Sequence, residues 1–275
     1  MERIAGGLAT GWGLALMLGL VALEFGYGRW RGRNTYDARE TVATAAILIG
    51  HRLLQSVVAG LAVVPMLLAW EHRLLDLPLD RAWTVALLFL AVEFVYYWHH
   101  RAMHRVRWFW ASHAVHHSAR HFNLSAGLRL GWFASLSGNF VFYLPLAWIG
   151  FDPRAILGVL ALNLFYQFFL HTEHAPRLGP LEWVLNTPAH HRVHHASNEA
   201  CLDRNFGGVL IVYDRLFGTF AEAPKNEALR YGVKRATVAS HAPLRLELAG
   251  WIAMARDLGR ARSLRQAGAA LFGRP

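Results

Sequence analysis

Five stretches of the chain consist almost entirely of apolar residues. A helix needs about 20 residues, at about 1.5 Å per residue, to cross the hydrocarbon of a bilayer, so each stretch has roughly the length of a span. The pattern predicts an all-α integral membrane protein with four to five membrane-spanning helices. The stretches are 5–25, 41–70, 82–98, 132–150 and 154–170.

The flanks of two stretches refine this prediction. Residues 5–25 are compatible with a signal peptide, but they lack a clear small-x-small cleavage site, which favours a retained span. The turn Gly150-Phe151-Asp152-Pro153 joins the fourth and fifth stretches, and its Asp-Pro pair favours the start of a helix. We therefore expect these two stretches to form a tight helical hairpin.

The composition supports a membrane protein. Apolar residues make up 55% of the chain and charged residues 17%, which is too little charge for an ordinary soluble surface. A single cysteine, Cys201, excludes an internal disulfide and a cysteine-ligated zinc or iron–sulfur site. The chain has a net charge of +10, but no nucleic-acid recognition motif accompanies it, so we expect no nucleic-acid partner. A cytoplasmic membrane face explains the excess charge better.

Thirteen of the sixteen histidines lie in two short windows, 99–121 and 171–195. Residues three and four positions apart share a helix face, so each box presents several imidazoles in one direction, as a metal ion requires. We expect His51 and His72 to be core residues and His241 to lie on the surface. The boxes contain His100, His104, His113, His116, His117, His171, His174, His191, His194 and His195.

Ten imidazoles exceed the needs of one ion. Two ions would receive about five each, whereas structural zinc closes at four ligands. Imidazole suits iron, copper, nickel and zinc alike, so the donor type does not select the metal. A site beneath apolar helices favours oxygen chemistry on an alkyl chain. A histidine-rich metal carrier is the alternative without catalysis, but its ligands would be expected near the middle of the bilayer.

The positively charged residues orient the predicted helices. With the N-terminus outside, nine Lys or Arg fall in inner segments before residue 171 and four in outer segments. Positive residues concentrate on the cytoplasmic side of a membrane. We therefore expect a multi-pass protein of the inner (cytoplasmic) membrane. The histidine-rich helical lobe and the C-terminus would lie in the cytoplasm.

Polar residues inside the apolar stretches are further candidates. Glu93 precedes His100 by seven residues and shares its helical face, which favours a hydrogen bond to a ligating imidazole; an ion pair with an arginine is the alternative. Asn163 and Gln167 form a stripe with His171 and His174. They would form hydrogen bonds to the metal-binding histidines, contact the substrate, or provide polar packing between helices.

Segment 247–273 has the pattern of a cationic amphipathic helix. It combines apolar residues with arginines, namely Leu248, Trp251, Ile252, Met254, Ala255 and Leu258 with Arg256, Arg260, Arg262 and Arg265. Such a helix would lie on the inner leaflet or cover the catalytic lobe. We divide the chain into an N-terminal span with a basic loop, a membrane catalytic domain and a C-terminal tail, with bounds 1–40, 41–235 and 236–275.

The boxes and their flanks resemble the fatty acid hydroxylase/sterol desaturase superfamily. The resemblance rests on the segments 97–101, 110–113, 186–195, 203–208 and 213–219. Within the superfamily, 123–129 and 163–173 are most similar to the alkylglycerol monooxygenase branch. The resemblance implies a membrane-bound, non-haem di-iron oxidoreductase of lipids that uses O₂ and takes electrons from a separate donor, which is unidentified.

The same resemblance carries residues over. The ten box histidines would bind the two iron ions, and His99 and His190 would support them. The candidate catalytic residues are Glu93, Asn163, Gln167, Glu173 and Asn205. Arg105 stands where the branch tends to have an acidic residue, which leaves the exact lipid and any pterin reductant open. We expect hydroxylation of a lipid alkyl chain, with desaturation of a sterol-like or isoprenoid lipid as the alternative.

Overall fold

The computed structural model describes residues 11–233 and 241–275. Within these ranges the regular secondary structure is helical, and β pairing is confined to two isolated bridges, Leu185 with Leu210 and Ala196 with Tyr231. The all-α prediction is confirmed for this part of the chain. Residues 5–10 of the first apolar stretch and the domain division at 235/236 lie outside the described residues.

Eleven α-helices and four short 3₁₀ helices occur in the described ranges. The α-helices are α1 Gly11–Trp30, α2 Ala38–Val58, α3 Gly60–Glu71, α4 Ala82–Arg105, α5 Arg107–His117, α6 Leu144–Ile149, α7 Pro153–Phe168, α8 Pro188–His195, α9 Val212–Leu216, α10 Pro243–Arg260 and α11 Leu264–Phe272. The 3₁₀ helices are Leu124–Leu128, Asn139–Tyr143, Gly179–Trp183 and Glu199–Cys201.

Helices α2 and α4 have the length and apolar composition of membrane spans. Most of α2 is not covered by the rest of the protein, and large apolar side chains such as Leu53 and Val57 are 67% and 80% exposed. An apolar surface of this extent is unfavourable in water and favourable in lipid. The described residues thus contain two candidate spans, and the predicted number of four to five is not confirmed.

The second apolar stretch, predicted over 41–70, is divided into α2 and α3. The division falls at Ala59 and Gly60, and glycine favours a helix interior less than any residue but proline. Pro65, inside α3, lacks the backbone N–H that would bond to the preceding turn. Helix α3 then packs against α6. Its residue Met66 is buried in the cluster that α3 forms with α4 and α6.

The fourth stretch, predicted as a span over 132–150, is not a single helix. It contains turns, the 3₁₀ helix Asn139–Tyr143 and the short helix α6. Gly138 adopts a left-handed conformation, with φ at 80°, which interrupts regular helix. The expected tight turn to the next helix is present, because Gly150 has φ at 139° and the Asp152 carboxylate accepts the Arg154 N–H at 2.7 Å.

Helix α4 extends seven residues beyond its predicted end at residue 98. Its apolar half packs against α3, α6 and α7. Leu88 and Val92 of α4 and Ile156 of α7 are fully buried in this contact. The same continuous helix carries Glu93, His100 and His104. The packed apolar half therefore fixes the position of the two histidines.

Helix α10 covers the histidine-bearing helix α5, which is one of the two arrangements expected from the sequence. The Trp251 and Trp108 rings lie edge to face with centroids 5.2 Å apart. Buried Glu247 accepts the Trp132 N–H at 2.9 Å, and Asp257 pairs with Arg107 at 2.6 Å. These contacts fix α10 on the lobe.

Two glycines in α10 provide a test of this packing. A Cβ at Gly250 would lie 2.7 Å from Cα of Ala111, so Gly250→Ala is expected to destabilise the fold by about 1–3 kcal/mol through overpacking. Gly259 has no such neighbour within 4 Å, and Gly259→Ala is expected to be neutral or to stabilise by up to about 1 kcal/mol. Thermal unfolding in detergent checks both; equal unfolding temperatures would contradict the packing.

Candidate metal centre

Nine of the ten predicted ligands converge into two groups. Within each group, one potential ligand nitrogen from every residue lies within 4.8 Å of all the others. We call them the five-histidine group and the four-histidine group. The first contains His100, His104, His113, His117 and His194, and the second contains His116, His171, His191 and His195.

Helical periodicity distributes the box residues between the two groups. On α5, positions 113 and 117 share a face and join the five-histidine group, while His116 turns to the four-histidine group. On α8, His194 joins the first group, and positions 191 and 195 join the second. Each HxxHH box therefore supplies both groups.

The spacing between nitrogens fits metal coordination. His113 Nε2 lies 3.1 Å from His104 Nε2 and 3.2 Å from His100 Nε2. In the four-histidine group, His171 Nε2 lies 3.0 Å from His191 Nε2. Two nitrogens that bind one ion at about 2.1 Å and at a right angle lie about 3.0 Å apart. The residues present therefore fit a bound transition metal.

Hydrogen bonds at the far side of the rings leave Nε2 free to bind metal. Four rings place Nδ1 near a backbone carbonyl; these are His100 with Phe206 at 2.8 Å, His116 with Arg129 at 3.2 Å, His171 with Gln167 at 2.8 Å, and His194 with Arg204 at 2.9 Å. Donation from Nδ1–H fixes the tautomer whose Nε2 lone pair is available. The Nε2 atoms of His194 and His195 are buried without a hydrogen-bond partner, as expected for metal donors.

Burial keeps these imidazoles neutral. It lowers the pKa of His116 to about 4 and that of His194 to about 3, and hydrogen bonds to Arg129 O and Arg204 O oppose the shift. The pKa values of His113 and His195 fall well below the ordinary value for the same reason, with neighbouring imidazoles adding to the effect. Only a neutral imidazole has the lone pair that binds a metal.

These shifts predict acid sensitivity of the metal-free protein. A folded-state pKa below the unfolded value near 6.5 means that the unfolded chain takes up protons first as the pH falls. The stability is therefore intact above pH of about 6.5 and is lost as the pH falls towards 4. We expect the unfolding temperature to drop between about pH 6.5 and 4, and less so in His194→Asn. A constant unfolding temperature would contradict buried neutral rings.

The two groups are adjacent and in direct contact. The rings of His117 and His195, one from each group, stack at 4.2 Å between centroids with 15° between planes. The ring centroids of His191 and His194, again one from each group, lie 5.3 Å apart. Two ions held by these groups would thus be close neighbours within one centre.

His174, the tenth predicted ligand, belongs to neither group. Its ring packs edge-on against Tyr27 of α1, with centroids 5.3 Å apart. The prediction assumed that the helical stripe from Asn163 continues to residue 174, whereas α7 ends at Phe168. His171 reaches the four-histidine group from the turn after this helix, and His174 points elsewhere.

The hydrogen bonds of the Glu93 carboxylate involve neither an imidazole nor an arginine, the two partners expected from the sequence. One oxygen accepts the Asn163 side-chain amide, and the other accepts the N–H groups of Val209 and Leu210 at 2.8 and 2.9 Å. The expected direct bond to an imidazole and the alternative arginine pair are both replaced by a clamp on residues 209–210. Gly208 allows this approach, because a Cβ there would lie 2.0 Å from the Asn163 amide nitrogen.

The side chains of Asn163 and Gln167 pack between helices, which is one of the roles expected from the sequence. The Gln167 amide donates to Asn163 Oδ1 at 2.5 Å and accepts the Tyr96 hydroxyl at 3.0 Å, which links α7 to α4. The contact with a box histidine, His171 Nδ1, comes from the Gln167 backbone carbonyl.

Glu173 and Asn205 lie outside the ligand groups. Glu173 is exposed and interacts with Tyr231. Asn205 is fully buried in a left-handed conformation, with φ at 55°, and its amide donates to the carbonyls of His190 and Ala221 at 3.0 and 2.8 Å. Asn205 therefore holds the loop beside α8 in place.

The remaining histidines differ in their surroundings. His99 is buried, with Nδ1 3.2 Å from the Tyr143 hydroxyl, and His190 is buried against Phe220. His51 is half-buried and bonds to Gly131 O at 3.2 Å. His72 is exposed, so its prediction as a core residue is wrong, whereas His241 is exposed as predicted.

Sequence reasoning missed two buried carboxylates. Asp214 accepts the N–H groups of Phe206 and Gly207, both at 2.7 Å. Glu24 in α1 accepts the Tyr36 hydroxyl at 2.5 Å, the Leu124 N–H at 2.8 Å and the Thr172 hydroxyl. A charge within an apolar stretch was the available indication for Glu24, but Asp214 lies in a loop-rich segment without periodicity.

The described part of the chain is helical and carries two adjacent groups of histidines, each of which could hold a metal ion. A family model described as fatty acid hydroxylase matches residues 85–219, which contain all nine converging histidines. Residues 85–219 thus form a fatty acid hydroxylase domain, and the chain is similar to the alkylglycerol monooxygenases. The resemblance expected from the motif flanks is thus confirmed.

Three relatives illustrate this similarity. Alkylglycerol monooxygenase from Danio rerio is 39% identical over 78% of this chain and 48% of its own length. The Homo sapiens protein of that name is 49% identical over 60% of this chain and 36% of its own. Ornithine lipid hydroxylase OlsE from Rhizobium tropici is 31% identical over 55% and 46%. The chain thus spans less than half of the length of these relatives, and no solved structure matches it significantly.

Family membership and the two apolar helices together indicate a membrane protein. The family and the histidine groups together indicate iron as the metal, among those that imidazole accepts. These assignments agree with the expectations from the sequence.

Proposed function

We propose that the chain is a membrane-bound, di-iron, O₂-dependent hydroxylase that oxidises C–H bonds of a lipid alkyl chain. The observation that carries the proposal is the convergence of nine neutral imidazoles into two adjacent groups within a fatty acid hydroxylase domain. The five-histidine group would hold one iron ion and the four-histidine group the other. Bound iron supplies O₂ activation and electron transfer, which side chains cannot provide.

The protein's own contribution is to position the ligands and to keep water out. Phe206 and Trp110 lie against His104, with ring centroids 5.3 and 5.2 Å away. Phe122 stacks on His171 at 5.6 Å. This apolar shell lowers the local dielectric and restricts access of water to the metal sites. A lipid chain held against the sites would then react at a fixed carbon.

The proposed substrate is a lipid with a long alkyl chain, and an alkylglycerol is the first to test. The names of the relatives support this choice, because one group acts on alkylglycerols and another on an ornithine lipid. Arg105 departs from the expected acidic residue and instead pairs with Asp203 at 2.7 Å. This departure keeps other lipids, and desaturation of a sterol-like or isoprenoid lipid, as alternatives within the same chemistry.

We further propose a multi-pass arrangement in the inner membrane with the histidine lobe and the C-terminus in the cytoplasm. The excess of positive residues in the inner segments supports this orientation. Helix α1 would add a span to α2 and α4, and the membrane catalytic domain would extend over 41–235. Electrons would come from a separate redox partner or reductant, because the sequence contains no GxGxxG fingerprint for a flavin or nicotinamide.

A lipid analysis under ¹⁸O₂ tests the proposal. Membranes from cells that express the full chain are compared with membranes that carry His194→Ala, with an alkylglycerol and a fatty acid supplied to both. Incorporation of one ¹⁸O atom into a lipid only with the unchanged chain supports the hydroxylase. Loss of two hydrogens without ¹⁸O supports the desaturase, and reversible zinc uptake without O₂ consumption supports the carrier.

A further inference from the structure

Asp214 is connected to a ligand of the five-histidine group through a single peptide unit. Phe206 O accepts the His100 Nδ1–H at 2.8 Å. The N–H of the same peptide unit, which belongs to Gly207, donates to the Asp214 carboxylate at 2.7 Å. Asp214, this peptide and the His100 ring therefore form one chain of hydrogen bonds that ends at Nε2.

The surroundings of the carboxylate hold this chain in place. Asp214 is 0% exposed and accepts two further bonds, from the Phe206 N–H and the Thr219 hydroxyl, both at 2.7 Å. All three donors are neutral, so the negative charge is stabilised by dipoles. Gly207 has to be glycine, because a Cβ there would lie 2.3 Å from Leu210 O and 3.0 Å from the carboxylate.

The corresponding arrangement at His194 ends differently. Its Nδ1 bonds to Arg204 O at 2.9 Å, and the N–H of that peptide unit, from Asn205, donates to the Thr219 carbonyl at 3.1 Å. A neutral carbonyl polarises a peptide less than a carboxylate does. The same group thus contains a ligand with a charged terminus and a ligand with a neutral one.

We propose that Asp214 is a positioning residue that orients His100 and raises its donor strength through the Phe206–Gly207 peptide. A carboxylate behind a ligating histidine makes the ring a better donor, and transmission through a polarised peptide gives the same effect at longer range. The buried negative charge also offsets the positive charge of a divalent ion among neutral imidazoles. The inference rests on the proposed function only in that the five-histidine group binds a transition metal.

Cobalt binding tests this role without catalytic turnover. Co²⁺ is titrated into the purified, metal-stripped full chain in detergent, and its visible d–d bands report the ligand field of each ion. Asp214→Asn keeps the shape but removes the charge. We expect the unchanged chain to bind two ions, and Asp214→Asn to bind one of them about 10–100-fold more weakly with a shifted band.

Glu247→Gln is the matched control, because Glu247 is also a buried carboxylate but contacts Trp132 on the α10 side. It is expected to leave both affinities within about threefold of the unchanged chain, since the carbonyl of the peptide unit that it binds, Gly131 O, bonds to His51 and not to a box histidine. In a His100→Gln background, Asp214→Asn is expected to cause no further loss of Co²⁺ affinity at this site. If Asp214→Asn instead weakened the fold in general, the affinity would fall further.

The outcomes separate two failures. If the unchanged chain binds fewer than two Co²⁺ ions, the metal centre of the proposed function is wrong. If it binds two and Asp214→Asn has the same affinities and bands, only the role of Asp214 is wrong. Should Asp214→Asn fail to fold, Thr219→Val removes one donor to the carboxylate and is expected to shift the band of one site; an unchanged band would overturn the proposal.

Discussion

Replacement of His194 by alanine is expected to abolish lipid oxidation and to reduce the iron content from two ions per chain to one. His194 Nε2 is buried without a hydrogen-bond partner, within 4.8 Å of four other imidazole nitrogens. Loss of a ligand removes a donor outright, so the effect on activity should exceed the 10–100-fold typical for loss of a ligand's hydrogen-bonding partner, which we take as a rough lower limit. His116→Ala should have the same effect at the four-histidine group.

His72→Ala is the control for these variants, since His72 is exposed and its side chain bonds to Leu68 O, at 3.2 Å. Iron content by elemental analysis and product by mass spectrometry should be unchanged in this variant. If His194→Ala or His116→Ala kept both irons and full activity, the assignment of these residues as ligands would be wrong.

The second large effect is expected from Glu93→Leu. Its carboxylate accepts the Asn163 amide and the N–H groups of Val209 and Leu210, and leucine would leave all three donors buried and unpaired. Each unpaired donor costs about 1–3 kcal/mol, so the loss should be at least about 3 kcal/mol. In a chain of this size, the unfolding temperature should then fall by roughly 10 °C.

Glu93→Gln keeps one carbonyl oxygen as an acceptor and should cause a smaller decrease. Glu71→Leu is the control, because Glu71 is exposed at the end of α3. Circular dichroism during heating in detergent measures all three variants. An unfolding temperature of Glu93→Leu equal to that of the unchanged chain would show that Glu93 does not clamp residues 209–210.

The convergence of the box histidines was predictable because residues spaced three and four positions apart share a face of a helix. Their division into groups of five and four was not, since it depends on how α4, α5 and α8 cross. His174 lies outside both groups because the stripe from Asn163 assumes a helix that instead ends at Phe168. Local periodicity is reliable only as far as the helix extends.

Hydropathy predicted where the apolar segments lie, but not whether each one forms a single helix. The stretch 132–150 is uncharged and mostly apolar, but Gly138 and Pro145 favour a left-handed turn and a new helix start, and the chain forms short helices there. Asp214 illustrates a different limit. Its function depends on backbone N–H groups of Phe206 and Gly207, and a backbone contact leaves no mark in the side-chain pattern.

X-ray absorption at the iron edge of the iron-loaded full chain, combined with iron and protein quantification, identifies the ligands and the number of bound irons. We expect two irons per chain, both coordinated mainly by imidazole nitrogen, and one iron per chain in His194→Ala. A single iron, or a coordination shell dominated by oxygen or sulfur, would contradict the assignment of the two histidine groups as a di-iron centre.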